Sequence, residues 1–252
     1  MTTSSNAFDR ERLLSIVERE RAEFAARNPQ SQAAFKAAGE SLWTGVPMSW
    51  MAKWPGGFPL ALAGAKGSNL RDIDGHEYID FCLGDTGAMA GHSPEALGKA
   101  VNRRIVEEGG VTAMLPTEDA AWVGEELARR FGLPQWSFTL SATDANRFIL
   151  RKVREVTGRP YILCFSWCYH GSVDETFIIV GEDGQPQSRP GNVGPAVDPT
   201  ETTRVCEFND LDAVERLLAD GQVAAVLTEP AMTNIGIVLP EPGFIEGLRR
   251  VT

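Results

Sequence analysis

The stretch SATDANRFILRKVREVTGRPYILCFSWCYHG, Ser141 to Gly171, decides the fold. Thr143 to Val156 reads as a helix, and Gly158 just past its end is the residue that helices favour for a stop. Tyr161 to Phe165 is a short apolar run that reads as a strand, and Phe138 to Ser141 before the helix reads as another. Further along, Leu211 to Leu218 is helical and Val223 to Thr228 is again a continuous apolar strand. Strands with no polar face are buried on both sides. Their alternation with helices predicts an α/β sheet with parallel strands.

Outward from this centre the punctuation is local. Asp9 is a good N-cap for a helix running to Arg27, with Leu13, Leu14, Val17, Arg21 and Phe24 along one stripe, and Asn28-Pro29 ends it. Such a helix, an arm or a brace, needs something to cover that stripe. Trp43 to Pro59 is rich in Gly, Pro, Trp and Met and has no period; it is either a pocket-lining loop or a loop pinned to the core by its tryptophans. Asp74-Gly75 between two β-prone runs predicts a hairpin. Glu118 to Arg130 reads as a helix stopped near Gly132. Gly181 to Thr203 reads as one long loop, and Gly243 to Val251 as a final helix.

The whole chain has 252 residues, 43% hydrophobic and 23% charged, with a net charge of −10. That is an ordinary globular composition. An acidic chain suits phosphate polymers poorly, so nucleic acid is not an expected partner. No apolar run is long enough to span a bilayer, and Met1 to Arg12 lacks the apolar core of a signal peptide. Four cysteines without a CxxC pair suggest reduced thiols, and a cytoplasmic location is expected.

Three segments could carry chemistry. At Ser141–Thr143 a strand gives way to a helix, whose free N–H groups and dipole make an anion site. The hydroxyls could add hydrogen bonds; the plainer reading is that Thr143 is only an N-cap. The second is FSWCYHG, Phe165 to Gly171. A metal needs three or four converging ligands. Cys164 belongs to a buried strand, and His76 and His92 fall far along the chain. A Cys168–His170 nucleophile pair needs side chains two residues apart to meet, which is unusual after a strand. A platform asks less: the Tyr169 ring at the C-terminal end of a parallel strand could stack on a planar ligand, with Gly171 allowing close approach. In the third, Glu229 leaves a buried strand and precedes a proline, with Asn234 and Gly236 on the loop after it. Three polar loops at the C-terminal ends of strands suggest one shared site.

These segments, with GSNLRDIDGHEYIDF, LPTEDAAWVGEELARRF and EFNDLDAVERLL between them, resemble in order and spacing the class III aminotransferases, over about residues 30 to 252. That family includes glutamate-1-semialdehyde aminomutase and the ω-transaminases. The resemblance implies the N-terminal half of a fold-type I, aspartate aminotransferase-like pyridoxal-phosphate (PLP) transferase, with a mostly parallel sheet flanked by helices. It implies an arm and pocket-lining segment over residues 1–65, an incomplete PLP-binding α/β domain over residues 66–252, and a homodimer. Ser141, Ala142 and Thr143 match the turn that cradles the cofactor phosphate, Tyr169 the aromatic on the pyridine ring, with His170 beside it, and Glu229 and Asn234 polar residues near the cofactor.

Two departures stand out. Ala142 replaces the family's usual glycine, which could limit φ or crowd a phosphate. The family's cofactor-bonding lysine and the Asp for the pyridine nitrogen have no counterpart: the lysines are Lys36, Lys53, Lys66, Lys99 and Lys152. Lys53 and Lys152 are speculative substitutes. The expected activity is amino transfer between an amine or amino acid and a keto acid or aldehyde, with a non-catalytic homologue or partner subunit as the alternative. The aromatic pocket segment favours an apolar amine or β-amino acid. A dinucleotide oxidoreductase is disfavoured, since no GxGxxG follows a strand.

Overall fold

A computed structural model describes residues 9–252; Met1 to Phe8, part of the stretch read above for an export signal, lie outside the described residues. The chain divides into two compact units between Leu115 and Pro116.

In the first unit, α1 (Arg10–Arg27) begins as expected, with the Asp9 carboxylate accepting from the Arg12 N–H at 3.0 Å. Asn28 closes α1 and opens α2 (Pro29–Ala38), where Pro29 sits at the first helical position, which has no N–H to satisfy. The strands β1 (Leu62–Lys66), β2 (Asn69–Asp72) and β3 (Glu77–Ile79) form an antiparallel sheet in sequence order. The β2–β3 turn is the predicted Asp74-Gly75 hairpin, with Gly75 at φ +92. Asp74 then does a second job. Its carboxylate accepts from the Gln30 and Ser31 N–H groups at 2.7 and 2.9 Å and from the Ser31 hydroxyl at 2.6 Å, which ties the hairpin to the positive end of α2. Beneath the hairpin, buried Asp72 accepts from His76 Nδ1 at 3.0 Å and from the Tyr78 hydroxyl at 2.8 Å. Helix α3 (Glu95–Asn102) follows.

Two expectations are modified here. The α1 stripe is largely uncovered: Leu13, Leu14 and Val17 are exposed, and only Phe24 finds a ring partner, Phe58, at 4.9 Å. The tryptophans do not pin their loop either. Trp43, Trp50 and Trp54 are exposed, while Val46 and Phe58 are the buried side chains that hold it. Trp54, Pro55 and Gly56 instead wall a cleft with Phe24, Leu60 and Tyr78.

The second unit opens with α4 (Glu118–Phe131), ended by Gly132 at φ +70. Phe138 to Ser141 is not a strand, contrary to the pattern. A strand needs a neighbour to bond, and this segment pairs with none among the described residues; Leu140 is fully exposed. Helix α5 (Ala142–Thr157) stops at Gly158 in the left-handed region. β4 (Tyr161–Phe165) follows, then β5 (Ile178–Val180) and β6 (Pro186–Ser188), which pair antiparallel. The supposed loop from Gly181 to Thr203 therefore contains a strand, and another, β7 (Thr203–Cys206), begins at its end. Helix α6 (Leu211–Leu218), β8 (Val223–Val226) and α7 (Phe244–Val251) complete the unit. β8 stops two residues before Thr228, where its ladder to β4 ends.

The parallel sheet has the order β7-β4-β8, with Leu163 opposite both Arg204 and Val226. β4 is central, and Ile162, Leu163, Cys164 and Phe165 are buried, as a strand covered on both faces must be. Phe165 meets Phe208 and Phe244 edge-on, at 5.3 and 5.7 Å between ring centres. The loops after β4 and β8, both at C-terminal strand ends, are thereby set side by side, next to the start of α5. No helix among the described residues is long and apolar enough to cross a membrane.

Candidate functional site

The first turn of α5 forms one wall of the site. The cap is Ser141, not Thr143: its Oγ accepts from the Asp144 N–H at 3.2 Å and donates to the Asp144 carboxylate at 3.0 Å. The amides of Ala142 and Thr143 have no acceptor among the described residues, so both point free from the positive end of a 16-residue helix. The Thr143 hydroxyl accepts from the Ser172 N–H at 3.0 Å, which leaves its own O–H to donate. Ala142 lies within the helix and is not among the positive-φ residues, so its methyl demands no strained backbone there. The free amides and hydroxyl fit a phosphate. The Asp144 carboxylate, already engaged by Ser141, opposes an anion at this helix start.

The second wall is the turn after β4. Ser166 continues the ladder, its N–H donating to Cys206 O at 2.8 Å. Trp167 then takes φ +64, and the Cys168 N–H returns to Phe165 O at 3.1 Å, reversing the chain. Cys168 turns inward and is buried; its thiol lies 3.8 Å from Thr176 O. Neighbouring Cys164, and then His170, lower the Cys168 pKa, while burial raises it. Cys168 and His170 are both buried, and among the described residues no group of three His, Cys, Asp or Glu side chains is placed to hold a metal ion. Tyr169, between them, is half exposed, as a platform must be. His170 Nε2 is buried with no hydrogen-bond partner among the described residues.

Gly171 is required where it stands. Its φ is +83, and a Cβ there would lie 2.3 Å from Thr143 Oγ1. The turn and the start of α5 are therefore in direct contact. Asn146, which sequence reasoning missed, adds a hydrogen bond from its Nδ2 to His170 O at 2.8 Å. A polar residue one turn into an amphipathic helix carries no local sign of such a partner.

The third wall is the loop after β8. Glu229 Oε1 accepts the Tyr169 N–H at 2.9 Å, and Oε2 accepts the Thr233 N–H at 3.0 Å and the Thr233 hydroxyl at 3.3 Å. Asn234 is exposed on the same loop and bridges to Gly236. Ser141, Ala142, Thr143, Tyr169, His170, Glu229 and Asn234 all belong to this one unit. Lys152 is on α5, about 16 Å of helix beyond Ser141 at 1.5 Å per residue, and its ammonium pairs with Glu155 at 2.7 Å. Lys53 belongs to the other unit.

A polar turn at a helix start, an aromatic at a strand end and a carboxylate tying two strand-end loops stand on a fold of the fold-type I PLP-transferase kind. Residues 50–252 match the family model described as aminotransferase class-III, and the chain belongs to that family. Among curated proteins, the glutamate-1-semialdehyde 2,1-aminomutase of Gemmatimonas aurantiaca is 38% identical over 197 residues, which are 78% of this chain and 45% of that protein. Among solved structures, a glutamate-1-semialdehyde aminomutase from Pseudomonas aeruginosa superposes with a TM-score of 0.91 at 49% identity, covering 97% of this chain and 53% of that one. A variant of it solved in complex with PMP matches equally well. An omega-transaminase from Sphaerobacter thermophilus gives 0.80 at 33% identity, covering 88% and 52%. The chain spans about half the length of the relatives it matches.

Proposed function

We propose that these residues form the phosphate- and ring-binding part of a PLP-dependent aminotransferase or aminomutase. The observation that carries the reading is the pair of free amides at Ala142 and Thr143, beside a turn that presents Tyr169. In this reading Ala142, Thr143 and the Thr143 hydroxyl hold the phosphate and Ser141 preserves the shape of the turn. Tyr169 lies against the ring, Asn234 supplies a polar contact at its edge, and His170 Nε2 gains the partner it lacks. Residues 66–252 are then the cofactor-binding part and residues 1–65 the arm and pocket lining. PLP, when bound, supplies the electron sink that amino transfer needs. The amino group would pass between a small amine or amino acid and a keto acid or aldehyde, in a homodimer.

Moving a proton at the substrate carbon takes a base, and the family uses its lysine. Of the five lysines only Lys152 shares a unit with the site, and its ammonium is paired with Glu155. The reading therefore divides. Either polypeptide other than these residues, or Lys53, supplies the amine, or the chain is a non-catalytic homologue or partner subunit. Titration with PLP separates these outcomes. We expect binding that inorganic phosphate competes away, with no label fixed on Lys152 by borohydride. Fixation on Lys53 with transfer from an amine donor to pyruvate would establish self-sufficient catalysis. Absence of PLP binding would remove the cofactor reading.

A further inference from the structure

Resting on that reading, we propose that Asn146 and Glu229 are positioning residues that hold the Tyr169–Ser172 turn from opposite flanks, so that the start of α5 and the Tyr169 ring move as one body. On the α5 side, Asn146 holds His170 O and Thr143 holds the Ser172 N–H, at 2.8 and 3.0 Å. On the β8 side, Glu229 holds the Tyr169 N–H with one carboxylate oxygen. Its other oxygen is committed to Thr233. Both Glu229 oxygens are thus engaged by the protein, which assigns it a part in shaping the turn. A carboxylate accepting from two backbone amides is a strong, directional tie. The turn needs such ties. The backbone enters it through φ +64 at Trp167, a left-handed conformation that a side chain with a Cβ disfavours.

The consequence is a split between the two ends of the site. Weakening either tie releases Tyr169 and leaves the Ala142 and Thr143 amides in place. Asn146→Leu removes the donor to His170 O without adding charge, and Glu229→Gln removes an acceptor, with little change of volume in either. Peptide-resolved hydrogen exchange on the unliganded chain should show the segment 168–173 exchanging about tenfold faster in each variant. PLP affinity should fall by about tenfold while inorganic phosphate affinity holds within about twofold. In a Tyr169→Ala background neither substitution should weaken PLP further. Unchanged exchange would overturn the clamp, as would a parallel loss of phosphate binding or an additive loss with Tyr169→Ala. If the unsubstituted chain bound no PLP, the cofactor reading alone would fall, and the exchange arm would still decide the clamp.

Discussion

The two units are held together by different chemistry. In the first, the buried apolar side chains are Val46, Phe58 and Ala88, while Asn28, Ser31 and Asp72 are buried polar ones. Its order comes from carboxylates: Asp74 on the start of α2, Asp72 under the hairpin. In the second, a continuous cluster runs from Leu163 and Phe165 through Val214 to Phe244 and Leu248. Polar ties there are concentrated at the strand ends, where the site is. A unit with a thick apolar core is little affected by protonation of its side chains. One built on hydrogen-bonded carboxylates depends on its charge state.

The largest effect should come from breaking the apolar core. Phe165→Ala removes the ring shared by Phe208 and Phe244, and should cost about 3–5 kcal/mol. Chemical denaturation followed by peptide-resolved hydrogen exchange should show protection lost through residues 161–251 and retained in the Asp72–Tyr78 hairpin.

Breaking the polar unit should be smaller and dependent on pH. Asp72→Asn turns an amide N–H toward one of the partly buried donors that Asp72 now accepts from, and should cost about 1–3 kcal/mol. Burial alone would raise the Asp72 pKa, but hydrogen bonds from His76 and Tyr78 outweigh it and hold the carboxyl below its usual value. A lowered folded pKa stabilises above the unfolded value near 4 and is lost as pH falls through the folded one. Tyr78 is pushed up to about 12, by burial and by Asp72. Its contribution is full below about pH 10 and lost as pH rises toward 12. Exchange in peptides of the hairpin should therefore rise at both extremes, and Asp72→Asn should flatten the acid edge. An unchanged acid edge in the variant would contradict the assignment.

Local signals were legible and partnerships were not. Asp9, Gly132 and Gly158 marked helix ends because capping is a local act, and Asp74-Gly75 gave the hairpin for the same reason. Phe138 to Ser141 carried a strand's composition and found no neighbour to bond. Thr203 to Cys206 was hidden at the end of a Gly- and Pro-rich run with Arg204 inside it; its identity comes from β4, which lies opposite. In the site, the order of segments exposed Ser141, Tyr169 and Glu229 by their places at element ends. The roles of Asn146 and of Glu229 Oε1 depend on backbone groups 24 and 60 residues away, which no local pattern announces.

Gly171→Ala tests whether the apolar core can force a strained turn. The methyl meets Thr143 at 2.3 Å on a backbone at φ +83, so a cost of about 1–3 kcal/mol is expected. If the turn instead opens, melting will change little while exchange at the Ser172 amide rises sharply. Ser141→Ala should be milder, at about 1 kcal/mol for a lost hydroxyl cap, read as a shift of the denaturation midpoint.

The smallest effect is expected beside that cap. Leu140 adjoins the site in sequence, yet it is fully exposed. If the core of the second unit ends where burial says it does, Leu140→Asp should change stability by no more than about 0.5 kcal/mol. The added charge two residues before Ala142 should still be felt, because an anion near those free amides competes with phosphate for the same helix end. Stability and phosphate affinity should therefore separate, the first unchanged and the second reduced. A stability loss as large as that of Ser141→Ala would mean that Leu140 is covered in solution, for example by a second copy of the chain, and dilution would then move the midpoint of the unsubstituted protein.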